Sequence, residues 1–478
     1  MNKSIIIATI GILTCIFFSC DSQKNTEDNN VTVLIDGSAE FQKIDGFGVN
    51  AHTNSWRGTE LTPALDLLLD DMNATVWRVI VETVTMWEDI NDDDDPFNFN
   101  WEYYNKLYET PKFQKVWEML QYLNNKGITD KLMINFMGAV PSWMGTGDVA
   151  GVKLGGDIIE PKFEDEYVEM IVSFFVYARN IKKLQFGLVA PFNEINHNGK
   201  EGPKINPQQY ASILKKLIVR MQNVGLGNIQ YVGPDGAGMG SDINEYVPLL
   251  MKDPVIMSKV AHFGFHSYEG YYQDVNSSLK GSSYPESSYW VTEWNAWRDG
   301  LDDGQIGVYN YDYASECIKY LYEFLNNGAS AALVWEGYDS YYDHHFPSPF
   351  SYWGILEYDH NKKTYHPRKH FYAISQISKF VQPGSVRIGA NASDTSLVVL
   401  AFNDKINSQL SITGMNLSDK PLRISGKLTN LPEQSKMQFY FTDSVNNLKK
   451  DKDIILDKNM FNKVIPAKCI FTFTSGKE

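Results

Sequence analysis

The sequence predicts a (β/α)8 barrel of the TIM type joined to an all-β sandwich, and three features carry that prediction. From about residue 43 to 336, short apolar runs alternate with longer helical patterns, giving eight strand-helix units; that count over ~300 residues suits a closed parallel barrel better than an open doubly wound sheet. No glycine-rich phosphate fingerprint opens any of the helices, so a dinucleotide site is not expected. After KHFYAISQISKFV (369–381) the helical period stops, and short alternating runs separated by Asn, Asp, Gly and Ser take over. Such spacing is that of a sandwich.

The elements follow in chain order. Residues 1–20, MNKSIIIATIGILTCIFFSC, read as an export signal: Lys3 gives the positive start, Ile5 to Phe18 an apolar stretch too short to span a membrane comfortably, and Ser19-Cys20 a small-residue stop. A cysteine there, followed by the polar tether 21–30, is the pattern of a bacterial lipoprotein with Cys20 as the lipidated residue; Cys15 and plain secretion are the competing readings. VTVLIDGSAEFQ (31–42) alternates like the C-terminal strands and is expected to pair with them. The barrel is assigned to 43–380. Its strands are KIDGFGVN (43–50), TVWRVIVE (75–82), KLMINFMG (131–138), LQFGLVAPF (184–192), NIQYVGPD (228–235), KVAHFGFHSY (259–268), SYWVTEW (288–294) and AALVWEG (331–337). Between them lie helix patterns such as TPALDLLLDDM and PQQYASILKKLIVRMQNVG, several ending in Gly, the usual C-terminal stop. Residues 381–478, with 31–42, make the sandwich, through runs such as SLVVLAFND and CIFTFTS.

Composition narrows the function. A net charge of −15 argues against nucleic acid or an anionic membrane surface as partner. The aromatic share is 13%, with 11 Trp and 27 Tyr, side chains that fill cores and also stack on flat, hydroxyl-edged ligands. Beyond the signal only Cys317 and Cys469 remain, far apart in sequence, and both read as small buried hydrophobes. NDDDD (91–95) lacks the alternating spacing of a calcium loop and reads as a solvated loop; His344-His345 are adjacent, which does not suit a metal. No metal and no organic cofactor is expected.

Catalytic groups of such barrels sit at the C-terminal ends of strands. Glu194 follows the fourth strand and Glu293 closes the seventh in WVTEWNAW, 99 residues apart (293 − 194). Strands four and seven face each other across the barrel mouth. Two facing carboxylates suit glycoside hydrolysis, one protonating the leaving oxygen and the other attacking the anomeric carbon. Taken alone, an Asn-Glu pair after a strand is also a helix cap or a solvated turn.

Asn193-Glu194 after strand four and Thr292-Glu293 on strand seven resemble the clan A retaining glycoside hydrolases. FQKIDGFGVN, and HPRKHFYAISQISKFVQPGSVRI at the passage into the sandwich, resemble glycoside hydrolase family 30. The resemblance implies that Glu194 is the acid/base and Glu293 the nucleophile, with Asn193 hydrogen-bonding the sugar 2-hydroxyl. It further implies supporting roles for Arg78 at the end of strand two, Tyr268, its neighbour His266, and Trp335 as the floor of the sugar pocket. Glu336 and, in NFMGAVPSWM, Trp143 are further candidate substrate contacts. The bland alternatives are a structural ion pair for Arg78, a satisfied core histidine for His266 and a core aromatic for Trp335. Glu82 and Glu269 also lie near strand ends, and the long segment 336–354 is expected to shape the cleft rim.

The implied function is a monomeric, exported β-glycoside hydrolase acting on oligo- or polysaccharide. It would be held by its lipid at the outer membrane, the cell surface or in the periplasm. A glycan-binding lipoprotein without turnover, and a transglycosylase using the same residues, are the alternatives.

Overall fold

A computed structural model describes residues 30–476 apart from 84–85, 89, 147–154, 157, 198–199, 271–272, 300, 302–303 and 344–349. The signal and tether, Cys20 among them, and His344-His345 lie outside the described residues.

Eight parallel strands close into a barrel: Gly46–His52, Val76–Glu82, Leu132–Met137, Leu188–Ala190, Gln230–Gly236, Val260–His266, Tyr289–Trp294 and Ala331–Val334. The eighth pairs with the first, Ala331 opposite Gly46, and no edge is left open. All eight lie within the runs read from the sequence or within two residues of them. The fourth is the shortest, three residues of the nine expected, because the chain turns away immediately after Ala190.

Alternation decides what faces inward. In the second strand Trp77, Val79 and Val81 join the core between strands and helices. Val76, Arg78, Ile80 and Glu82 point the other way, into the barrel. The helices on the outside form where expected, and for local reasons. Asn206 accepts from the Gln209 amide at 2.9 Å with Pro207 in the first turn, and Asn310 caps Tyr311–Asn326 through the Tyr313 amide at 3.1 Å. That last helix stops at Gly328, whose φ of +100° is costly for any residue with a Cβ. TPALDLLLDDM departs from a regular helix: five residues, Thr62–Asp66, are α-helical and Leu67–Asp71 widen into a π-turn.

The second region is a nine-stranded, mostly antiparallel ladder. Asn30–Lys43 lies inside it, antiparallel to Val386–Ala392 and parallel to Leu422–Thr429. The sandwich is thus one sheet curled on itself, and the chain start ties into the C-terminal strands as expected. Three of its strands, Leu422–Thr429, Lys449–Ile455 and Met460–Ile465, were not read from the sequence. The sheet shares its inner face with the barrel: Leu400, Phe402, Met415 and Ile470 belong to the barrel's own core cluster. Polar contacts stitch the seam, among them Tyr322 to Thr413 at 2.6 Å and Gln376 to Thr442 at 2.9 Å. Cys317 and Cys469 are both buried and unlinked.

Candidate active site

The barrel interior is layered. At the N-terminal end it is apolar, with Val76, Met133, Leu188, Val232, Trp290 and Leu333 in contact. At the mouth sits an aromatic group, Trp335, Tyr342 and Trp353, with Tyr268 packed against it. Between the two lies a belt of buried polar side chains, and the two carboxylates belong to it.

Glu194 reaches the belt through a sharp turn. Its φ is +44°, a left-handed conformation that ordinary side chains adopt only when the surroundings hold it. Its amide donates to the Asp235 carbonyl at 2.9 Å, and its own carbonyl accepts from the His197 amide at 2.9 Å. Beside it, Asn193 Nδ2 donates to the Glu201 carbonyl at 3.0 Å. That close approach needs Gly202, because a Cβ there would lie 1.6 Å from the Asn193 carbonyl oxygen. The strand tip therefore turns two side chains inward instead of continuing as a capped helix.

Arg78 organises the belt. It is fully buried and lies in the middle of strand two, not at its end as expected, one turn of the pleat below the mouth. Its guanidinium donates to Asn50 Oδ1 at 2.8 Å, Glu293 Oε1 at 2.5 Å and Asn193 Oδ1 at 2.6 Å, and to Asp235 Oδ2 at 2.7 and 3.1 Å. Asp235 also accepts from Thr292 at 2.5 Å and Asn135 at 3.3 Å. Burial would raise the Asp235 carboxyl, but Arg78 and His266 outweigh it and hold the group well below the usual range.

His266 sits between the carboxylates: Nδ1 is 3.0 Å from Glu194 Oε1, and Nε2 is 3.4 Å from Glu293 Oε1 and 3.5 Å from Asp235 Oδ1. Burial pulls its pKa down, yet the surrounding carboxylates, Glu293 foremost, lift it to about 10. Those carboxylates favour its imidazolium form at neutral pH. Glu194, His266 and Glu293 have donor atoms within 4.8 Å of one another, a spacing a metal would accept; the surrounding carboxylates favour the imidazolium, which would have to lose a proton before it could bind one. Tyr268 donates to Glu293 Oε2 at 3.2 Å. Burial pushes the Glu293 carboxyl up to about 7, against the pull of His266 and Arg78.

The charges count simply. Arg78 and His266 are two cations facing the three carboxylates Asp235, Glu194 and Glu293, so one bound proton makes the buried belt neutral. A site that keeps one mobile proton across two neighbouring carboxyls can serve acid and base steps in turn.

The remaining predicted residues fall around this centre. Trp335 directly follows strand eight and stacks near-parallel with Tyr342 at 6.0 Å. Glu336 is buried, and its carboxyl accepts from Tyr342 at 2.8 Å and Ser351 at 3.1 Å. Trp143 packs edge-on against Phe163 and donates to the Glu88 carbonyl at 3.0 Å. Glu82 pairs with His52 at 3.1 Å, and Glu269 with His197 at 2.9 Å. NDDDD is not simply a solvated loop, since Asp92 reaches two buried glutamates.

Sequence reasoning missed Asn50, Asn135 and Asp235, which are inward-facing polar residues in otherwise apolar strands; that contradiction of the pattern was the available signal. It also missed Trp297, 52% exposed, whose ring lies 5.2 Å from Trp353 and 5.8 Å from Tyr268. Trp297 thus offers an open ring face beside the Glu293 cluster.

No protein-family model matches the chain, and no curated protein matches it in sequence. Solved structures match in fold. A glycoside hydrolase family 30 subfamily 8 xylanase from Clostridium acetobutylicum superposes with a TM-score of 0.70 at 17% identity, covering 94% of this chain and 99% of that one. A family 30 endoxylanase from Clostridium papyrosolvens C71 gives 0.69 at 17% identity, over 93% and 100%. An endo-β-1,6-glucanase gives 0.66 at 17% identity, over 94% of each chain. The chain has the family 30 fold, barrel and side domain together.

Proposed function

We propose that the protein is a glycoside hydrolase that cleaves β-linked glycans with retention of configuration. The observation that carries the reading is the approach of the Glu194 and Glu293 carboxyl oxygens to within 4.8 Å. Retaining enzymes hold their carboxyls ~5–5.5 Å apart, whereas inverting ones leave ~6.5–9.5 Å for a water. The fold shared with xylanases and a glucanase supports a β-linked polysaccharide as substrate class.

In this reading Glu293 is the nucleophile. Its Oε1 is occupied by Arg78 and His266, so Oε2, which takes the Tyr268 hydroxyl, attacks the anomeric carbon. The glycosidic C–O bond breaks, and the leaving oxygen takes the belt's one proton from Glu194. Glu194, now a carboxylate, then takes a proton from water. The water oxygen bonds to the anomeric carbon and Glu293 leaves, which restores both groups. Asn193, with its Oδ1 fixed by Arg78 and one Nδ2 hydrogen on Glu201, has its second N–H to meet the 2-hydroxyl. Trp335 and Trp297 offer ring faces for the sugars. A binding protein would gain nothing from a second buried carboxylate held so close to the first.

The test is Glu293→Ala on an aryl β-glycoside. Turnover is expected to fall by orders of magnitude, and added azide to restore it with a glycosyl azide of inverted configuration. Activity near wild type in that variant would remove Glu293 from the role. The same reading assigns Cys20 a lipid anchor on an exported, monomeric enzyme. Its check is fractionation of Cys20→Ser, which should leave the membrane fraction; retention there would disprove the anchor.

A further inference from the structure

Outside the catalytic belt, the loop after strand two and the start of the helix Glu164–Asn180 bring Asp92, Glu166 and Glu169 together, with one carboxyl oxygen of each within 4.8 Å of the others. Glu169 is 1% exposed, and neither of its carboxyl oxygens has a hydrogen-bond partner. Asp92 Oδ2 and Asn91 Oδ1 are likewise buried and unpartnered. Four oxygen acceptors thus face inward with nothing donating to them, an arrangement that costs about 1–3 kcal/mol per unsatisfied group unless something else sits among them.

The charge and the donor chemistry say what. Arg220 is the cation that acts on Glu169, and its Nη1 is committed to the Pro96 carbonyl. Glu88, also buried beside the cluster, has its carboxyl pushed up to about 8 and accepts from the Tyr104 hydroxyl, so the neutral form is favoured there. Asp92, Glu166 and Glu169 against the Arg220 guanidinium, whose Nη2 is buried without a partner, then leave two negative charges, the complement of one divalent ion. All the donors are hard oxygens from an irregular loop-and-helix set, which suits the flexible shell of Ca2+ better than the near-ideal octahedron that Mg2+ demands. We propose that Asp92, Glu166 and Glu169, with the Asn91 side-chain carbonyl, bind a structural Ca2+ that clamps the strand-two loop to the helix Glu164–Asn180. The sequence pattern hides this site because only Asp92 and Asn91 come from the acidic run; the other ligands arrive from a helix more than 70 residues on. The clamp also bears on the loop after strand three, since the Glu88 carbonyl in the same segment accepts from Trp143 at 3.0 Å.

The rival occupant is a proton. Burial pushes the Glu169 carboxyl up to about 9, so a shared proton would also relieve the repulsion. Metal-stripped protein separates the two. Terbium luminescence, sensitised by buried Trp87 beside Glu88, should report one site per chain from which Ca2+ displaces Tb3+, and melting in Ca2+ should exceed melting in EGTA. Asp92→Asn and Glu169→Gln should each weaken Ca2+ by at least about tenfold and abolish the Ca2+-dependent rise in melting temperature. Wild-type protein that binds no Tb3+ and melts identically in Ca2+ and EGTA would overturn the proposal. So would unchanged Ca2+ affinity in Asp92→Asn, a partly exposed position expected to fold even where Glu169→Gln does not. A larger shift with Mg2+ than with Ca2+ would overturn the assignment of the site to Ca2+.

Discussion

Arg78→Met and Arg78→Lys test the electrostatic account of the catalytic belt as a pair. Arg78 contributes one of two cations opposing three carboxylates, and it touches Glu293 directly at 2.5 Å. Unit charges ~4 Å apart interact by about 4 kcal/mol at an effective dielectric near 20. At about 1.4 kcal/mol per pH unit, removing the charge should carry the Glu293 titration roughly three pH units upward. In wild type that carboxyl sits at about 7, and the nucleophile must be ionised, so kcat/KM is expected to fall as pH drops through about 7. In Arg78→Met the same acid limb should lie near the top of the measurable range, leaving little activity at neutral pH. Arg78→Lys keeps the charge but not the planar fork to Asp235, Asn50 and Asn193. Its limb should move by less than about one pH unit while the plateau falls. Stability adds an independent sign. Asp235 is held below its unfolded value, so the stabilisation it shares with Arg78 is complete above about pH 4 and lost as pH falls. Arg78→Met should therefore be less stable by about 3–5 kcal/mol at pH 7, with the gap closing in acid. The assays are pH profiles on an aryl β-glycoside and denaturation at several pH values. An Arg78→Met limb still near 7, or equal limbs for the two variants, would refute the electrostatic account.

Two further outcomes follow from burial. Glu336→Gln should keep near-normal kcat and melting temperature, because burial pushes the Glu336 carboxyl well above the usual range, favouring a neutral acceptor for Tyr342 and Ser351 that Gln imitates; a large rise in KM would mark it as a substrate contact. Deleting residues 384–478 should give insoluble or unstable barrel, since Leu400, Phe402, Met415 and Ile470 are part of the barrel's own core and their loss withdraws roughly 6–12 kcal/mol of apolar burial; a soluble truncation with unchanged turnover on small glycosides would make the sheet an accessory unit.

Strand positions were legible because each barrel strand buries both faces and reads as a continuous apolar run, with the following helix changing the period to 3.6. The strands that escaped notice are Lys449–Ile455, Met460–Ile465 and Leu422–Thr429. The first, KKDKDII, is an edge strand at one end of the ladder, carrying the charge that keeps edges from pairing with other chains. Charge of that kind erases the apolar signal. The paired carboxylates were legible for the opposite reason, as charged residues interrupting apolar strand ends.

Arg78 shows where such reading stops. TVWRVIVE announces a buried guanidinium, yet nothing local says whether its partner is a surface acid or the nucleophile. Its five hydrogen bonds reach residues 28, 115, 157 and 215 positions away. Each partner, Asn50, Asn193, Asp235 and Glu293, is a polar residue that an otherwise apolar strand or strand tip turns toward the same level of the barrel. A lone buried polar group in one strand predicts only that a partner exists. Several such groups in several strands of a closed barrel predict that they are partners of one another, because the barrel axis is the one place where side chains from strands one, two, four, five and seven can meet. By that logic Asp235 was derivable from NIQYVGPD once Arg78 had been placed inside, and the protonation of the site from counting charges at that level. The same reasoning fails on the outer face, where Glu166 and Glu169 lie on a helix whose polar residues normally meet water, so a buried acidic cluster there leaves no mark in the periodicity.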